Sequence, residues 1–254
     1  MTSRGFTATA TSLESSARTP AGHRAISSAE NKSVPTMISS SSSSMHIVLA
    51  RTPLSKRAFD VLLSGAGLVL ALPVGAAAAL AIKLGDGGPV FFSQERVGRG
   101  GVPFRSYKFR SMVPDADKKF GSVQAGEHDP RVTAAGRILR KTAMDELPQL
   151  WNIFKGDMSF VGPRALAVEE KEIRGDGRSI RLEEIPGFSG RHEVIPGLTG
   201  IAQIFAPRDI PRRQKFRYDR LYVRRQSFAL DIKLILVSFW ITFRGKWEVR
   251  GDKF

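Results

Sequence analysis

The chain has 254 residues, with 39 Lys+Arg against 24 Asp+Glu, a formal charge of +15, and no cysteine. That length supports a hydrophobic core without staples, and the lack of cysteine excludes a disulfide framework, thiol catalysis and Cys-built zinc or iron–sulfur sites. The cation surplus calls for a polyanionic neighbour: nucleic acid, an anionic membrane face or phosphorylated substrates. Four histidines, two of them in the first 50 residues, do not suggest a His-built metal site.

Residues 1–50 read as a disordered tail. Ser, Thr and Ala dominate, Ser39–Ser44 is an unbroken serine run, and no apolar stretch near Met1 makes a signal peptide.

Residues 51–83 read as a membrane helix. Val61–Ile82 is 22 residues without a charge, the length range of a membrane span. Pro73 interrupts it and leaves the carbonyl of Val69 without its helical donor, so a kink is expected. The arms on either side are roughly 21 Å and 17 Å long at ~1.5 Å per residue, and neither spans alone. Both flanks are basic: Arg51, Lys56 and Arg57 before, Lys83, Arg96, Arg99 and Arg105 after. Positive flanks face the cytoplasm, which favours a re-entrant helix with both ends on that side over a straight span.

Residues 84–254 read as the soluble part of the chain. Extended runs at Val90–Val97 and Val102–Met112 around Gly98–Gly101 predict a hairpin. The turn matches neither a Walker A nor a Rossmann pattern. Period-two geometry puts Lys108 and Arg110 on one face, where an anion could lie between them. A solvated strand face is the plain alternative.

In residues 129–164, Thr133 is a candidate cap for a short helix. A second helix is predicted to start near Asp145, with Pro148 in its first turn and Gly156 as its stop. Leu147, Leu150, Trp151 and Phe154 would form its buried face. Asp145 and Glu146 would then sit at a helix N-terminus, where acidic residues are common for ordinary reasons. Arg131, Arg137, Arg140, Arg164 and Lys141 shift the balance toward phosphate chemistry. One carboxylate could attack phosphorus while the other helps hold Mg²⁺.

Seven basic residues lie between Arg212 and Arg225, and an apolar run follows at Phe228–Phe243. Ser227, Asp231, Ser238 and Thr242 mark a polar stripe on that run, which predicts an amphipathic interfacial helix beside anionic lipid headgroups, with a packed core helix as the alternative.

Taken in order, Lys56-Arg57-x-x-Asp60, Gly88-Pro89-Val90-Phe91-Phe92, Tyr107-Lys108-Phe109-Arg110-Ser111-Met112, Asp145-Glu146-Leu147-Pro148-Gln149-Leu150, Gly162-Pro163-Arg164 and Tyr218-Asp219-x-x-Tyr222 resemble the bacterial sugar transferases. These are monotopic polyprenyl-phosphate phosphoglycosyl transferases, and the likeness covers about residues 52–247, in the minimal catalytic form. It implies a mostly helical α+β fold: a re-entrant membrane helix, a small hairpin, short helices around the active site and amphipathic interfacial helices. It also implies transfer of a phospho-sugar from a UDP-sugar to undecaprenyl phosphate, releasing UMP, in exopolysaccharide, O-antigen or glycan assembly at the cytoplasmic face of the bacterial inner membrane.

By that resemblance Asp145 is the nucleophile of a ping-pong route and Glu146 holds Mg²⁺. Arg140 would bind phosphate, with Lys108, Arg110, Arg131 and Arg164 as helpers, while Lys56, Arg57 and Pro73 would set the membrane helix. The chain departs from the family pattern at Leu72-Pro73, Ala165 and Ala202, none of which touches the carboxylate pair. The partners implied are a UDP-sugar, polyprenyl phosphate and anionic membrane lipids. A basic nucleic-acid binder and a membrane scaffold without catalysis are the competing classes. No helix-turn-helix, zinc-finger or RNP-like motif supports the former, so nucleic acid is not an expected partner.

Overall fold

The computed structural model describes residues 49–116, 129–173, 175, 177–207 and 210–244. The tail expected at 1–50 lies outside these, apart from Leu49 and Ala50. Ala50 is already tied down: its N–H donates to Glu193 O at 3.0 Å and its carbonyl accepts from Arg99 at 2.5 Å.

Helices mix with two-stranded sheets, as an α+β reading expects. Helix α1 (Leu54–Asp86) is 33 residues long. At ~1.5 Å per residue it runs about 50 Å. Pro73 lies inside it, and the two expected arms form one continuous element. One missing hydrogen bond does not end a helix whose neighbouring turns are rich in Ala and Leu. Gly87 stops it in a left-handed conformation, φ 71°. Its most apolar 18-residue window has a mean hydropathy of 2.1 and is only 11% buried, so the helix is long and apolar enough to cross a membrane.

Strands β1 (Phe91–Val97) and β2 (Pro103–Phe109) form the expected antiparallel hairpin, with Phe91 opposite Phe109. Helix α2 (Ala134–Lys141) is capped by Thr133, whose hydroxyl accepts from Gly136 N at 3.0 Å. Helix α3 (Gln149–Lys155) ends at Gly156, φ 100°. Asn152 locks α3 to β2: its side chain accepts from Tyr107 N at 3.1 Å and donates to Arg105 O at 2.7 Å.

The buried face of α3 differs from expectation. Leu150 and Ile153 are buried, whereas Trp151 and Phe154 are 48% and 37% exposed and stack on each other at 5.8 Å. The α3 helix lies along α1, where Leu150 meets Gly67 and the edge of the Phe154 ring meets Gly65, so α1 covers only part of Phe154 and the pair stays partly exposed.

Strand β3 (Ser159–Val161) pairs in parallel with β6 (Gly197–Thr199), and β4 (Lys171–Ile173) pairs antiparallel with β5 (Ser179–Arg181). Helices α4 (Ile201–Phe205), α5 (Arg212–Arg225) and α6 (Phe228–Phe243) follow. Val161, Ile201, Ile204, Tyr222, Leu234 and Ile241 form the main core between them.

The polar stripe of α6 faces inward. Asp231 is 2% exposed and accepts from Lys56 Nζ and Tyr222 Oη, both at 2.7 Å, while Ser238 hydrogen-bonds Thr199 at 2.5 Å. Leu236, Phe239, Trp240 and Phe243 are exposed instead. This is the reverse of a helix with its polar face toward water.

Lys56 and Arg57, expected to set the membrane helix, are both bound within the protein. Lys56 is 4% exposed and also donates to Val161 O at 3.0 Å. Arg57 donates to the carbonyls of Ile153 and Phe154, at 2.7 Å each, and so neutralises the C-terminal end of α3.

Candidate active site

Asp145 and Glu146 lie in a 3₁₀ turn, Met144–Glu146, one turn ahead of α3 rather than at its N-terminus. Pro148 is the residue preceding α3, so the regular helix starts only at Gln149. The turn is entered through Ala143 at φ 55°, a left-handed conformation that costs a non-glycine residue about 1 kcal/mol. The chain bends sharply there between α2 and the carboxylates.

The pair lines a cavity of about 1280 Å³ whose walls come from α1, the hairpin, α4, α5 and α6. Lys108 donates to Glu146 Oε1 at 2.6 Å. Arg140, from the last turn of α2, and Arg164, from the segment after β3, line the same cavity.

The two carboxyls are driven apart. Burial raises the pKa of Asp145 to about 6, with ionised Glu146 adding to the rise and Lys108, Arg140 and Arg164 working against it. Burial also acts to raise Glu146, but Lys108, Arg164 and Arg96 outweigh it and bring Glu146 down to about 2. Glu146 is therefore a fixed anion, while Asp145 titrates in the range where small changes in field alter its charge.

The other expected site residues divide. Arg110 touches the cavity, but it is 6% exposed and bound to the Asp86 carboxylate, Pro89 O at 2.6 Å and Met112 O at 3.2 Å. Each of the two strand cations has a carboxylate of its own, Lys108 with Glu146 and Arg110 with Asp86. Arg131 is held by Asp129, at 2.9 and 2.7 Å, and does not line the cavity. Pro73 is absent from the lining as well, although Leu70, Ala71 and Val74 belong to it.

Four more cations line the cavity: Arg96, Arg191, Arg212 and Lys215. Arg96 stands in the Gln94-x-Arg96-x-Gly98 motif, which could have flagged it. Nothing local in the sequence marks Arg191.

At one side the cavity reaches apolar surface. The N-terminal ends of α1 and α6 are pinned together by Lys56–Asp231 and by the edge-to-face rings of Phe59 and Phe228, 5.4 Å apart. Farther along, Gly67, Leu70 and Val74 of α1 and Ile235, Ser238 and Phe239 of α6 line the same cavity. Leu70 and Phe239 are also 76% and 67% exposed.

Asp145 and Glu146 are hard oxygen donors of the kind Mg²⁺ takes, and Glu146 Oε1 is engaged by Lys108. No third His, Asp or Glu joins the pair into a metal-binding group among the described residues. Mg²⁺ is usually held by one or two carboxylates together with substrate phosphates and water.

The family model described as bacterial sugar transferase matches residues 51–245. A UDP-glucose:undecaprenyl-phosphate glucose-1-phosphate transferase of Escherichia coli is 42% identical over 212 residues, 79% of this chain and 44% of that protein. A UDP-N-acetylgalactosamine-undecaprenyl-phosphate N-acetylgalactosaminephosphotransferase of Aeromonas hydrophila is 39% identical, over 75% of this chain and 44% of its own length. An exopolysaccharide production protein of Rhizobium leguminosarum is 40% identical, over 71% of this chain and 90% of its own. The chain thus spans less than half the length of the first two relatives and most of the third. By the extent of these matches, the chain belongs to the bacterial sugar transferase family.

Proposed function

We propose that the protein transfers a phospho-sugar from a UDP-sugar to polyprenyl phosphate and releases UMP. The observation that carries this reading is the adjacent carboxylate pair with opposed pKa values, in a cationic cavity that also reaches apolar helix faces.

The steps balance as two displacements at one phosphorus. An oxygen of ionised Asp145 attacks the β-phosphorus, the bond to the bridging oxygen breaks, and UMP leaves with the electron pair. An oxygen of polyprenyl phosphate then attacks the same phosphorus, and the Asp145 carboxylate departs. The product is a polyprenyl diphosphate-sugar. Arg140, Arg164 and Lys108 neutralise phosphoryl oxygens as charge builds on them. A Mg²⁺ ion, when bound, would offset charge on the diphosphate, and Glu146 is the residue that would hold it once Lys108 gives way.

The lipid carrier would reach Asp145 between α1 and α6, its phosphate among the cations and its chain along Gly67, Leu70 and Phe239. A re-entrant α1 suits this arrangement. Lys56 near its start and Asp86 at its end are both ion-paired to the same catalytic body, through Asp231 and Arg110. The site would then lie at the cytoplasmic face of the inner membrane, against anionic lipids.

The test is UMP release from a panel of UDP-sugars by purified protein with Mg²⁺ and undecaprenyl phosphate in nanodiscs. At least one sugar should support release, and Asp145→Ala should abolish it; undiminished turnover in that variant refutes the nucleophile assignment. For topology, Ala50→Cys and Gly100→Cys should label from the same side of the membrane. Labelling from opposite sides would establish a spanning helix.

A further inference from the structure

The segment Pro163–Leu166, which carries Arg164 into the cavity, is held at every carbonyl. Pro163 O accepts from Gly197 N at 2.9 Å, and Leu166 O accepts from Val97 N at 2.8 Å. Between them, Arg164 O accepts from Arg191 Nη2 and Ala165 O from Arg96 Nη1, both at 2.5 Å. Four consecutive carbonyls thus take donors from β6, from the end of β1, and from two guanidinium groups.

The segment also enters with no slack. A Cβ on Gly162 would lie 2.4 Å from Ile195 O, and one on Gly197 would lie 2.0 Å from Gly162 N. Ala165 and Leu166 are each 2% exposed, while the Arg164 side chain is exposed. A long, exposed side chain can deliver charge to a fixed point only if its backbone is fixed.

Arg191 is built for that task. It is 2% exposed, and each of its nitrogens has a partner. Nε donates to Asp219 at 2.8 Å, Nη2 to Arg164 O, and Nη1 faces His192 Nε2 at 3.4 Å. Its guanidinium lies 5.0 Å from the centroid of the Phe216 ring. Burial, with the charge of Arg191 beside it, pushes His192 down to about 3, so its ring is neutral and free to accept. A charge buried this deeply is retained only when partnered, and one of its partners is the carbonyl of a cavity-lining arginine.

We infer that Arg191, oriented by Asp219, is a positioning residue for the reaction: with Arg96 it clamps the Pro163–Leu166 carbonyls and so aims Arg164 at the phosphates bound beside Asp145 and Glu146. Arg191 acts through Arg164 rather than on the substrate. A lysine at 191 keeps the buried charge but loses the planar fork, whose separate nitrogens reach Asp219 and Arg164 O in fixed directions. The inference rests on the transferase reading for its activity arm.

The experiment is a double-mutant cycle in nanodiscs, reading UMP release for wild type, Arg191→Lys, Arg164→Ala and the double variant. Arg191→Lys should lower kcat/KM by about 10–100-fold alone and by less than about 3-fold in the Arg164→Ala background. The loss should fall on kcat more than on KM, because Arg164 acts on charge that builds at phosphorus. Equal losses in both backgrounds, or no loss alone, overturn the inference. Asp219→Asn, which removes the charge that orients Arg191, repeats the cycle with the same expected pattern if Arg191→Lys does not fold. A second arm needs no turnover: amide exchange over residues 164–168 should speed up in Arg191→Lys while the β1–β2 hairpin keeps its protection. Unchanged exchange there also overturns the inference. If the wild type releases no UMP, the transferase reading fails, and the exchange arm still decides the clamp.

Discussion

The seam along α1 and the cavity around Asp145 are made from the same groups, lysines, arginines and carboxylates, in opposite states. At the seam every named ion is matched. Lys56 has Asp231 and a carbonyl, Arg57 has two carbonyls, and Arg110 has Asp86 and two carbonyls. At the cavity the match is incomplete. Asp145 is crowded by burial and by Glu146, and its pKa rises to about 6, while Arg164 stands exposed. Saturated ions hold parts together; an ion held against its own preference is available for chemistry.

That contrast can be broken by exchanging the damage done in each region. The largest expected effect is at Asp145, where Asp145→Ala should reduce UMP release by at least about 10³-fold without lowering the thermal midpoint, measured by turnover and by melting of the same sample. Lys56→Met should do the reverse. Leaving Asp231 buried without its cation should cost about 3–5 kcal/mol in denaturant unfolding, while molecules that remain folded keep their kcat. If Lys56→Met instead lowers kcat without loss of stability, the two regions are not distinct in the way described.

Lys108→Met sharpens the boundary, since Lys108 belongs to the cavity. It should cut kcat/KM by about 10–100-fold and shift the acid limb of the rate profile to higher pH, because Lys108 opposes the rise in the Asp145 pKa. In the wild type, turnover should fall as pH drops through about 6.

The smallest effect concerns stability. The folded-state pKa of Asp145 lies above its ordinary value of 3.8, so its contribution is intact below that value and is lost as pH rises through about 6. Asp145→Asn should therefore melt higher than wild type at pH 8, by about 1–2 kcal/mol, and show no gain at pH 4. A gain at pH 4 equal to that at pH 8 would place the effect elsewhere. Glu146 has the opposite sign: its support is present above its ordinary 4.5 and is lost as pH falls toward 2.

The two regions also differ in how well the sequence reveals them. The cavity's main pieces were legible because their signals are local. Thr133 three residues before Gly136, Gly156 after Lys155 and the hairpin glycines each report on their own backbone. The carboxylate pair was legible as a pair, but Pro148 placed it in a separate turn rather than at the helix start. The seam was not legible. Lys56 and Asp231 are 175 residues apart, and a lysine beside an apolar helix reads as a headgroup contact until its partner is known. Likewise, the stripe of Asp231, Ser238 and Thr242 shows that α6 has two faces, yet periodicity cannot say which one meets protein. Arg191 is hidden for the same reason: its partners, Asp219 and Arg164 O, lie 28 and 27 residues away.

The central claim is that Asp145 carries the phospho-sugar between its two partners. Incubating the protein with a competent UDP-sugar and Mg²⁺, without polyprenyl phosphate, and measuring intact mass tests it most directly. The expected result is a single phospho-sugar adduct on the peptide containing Asp145, formed with one equivalent of UMP, absent in Asp145→Asn and discharged by undecaprenyl phosphate. An adduct on another residue, or UMP release that requires the lipid phosphate and leaves the protein unmodified, would contradict it.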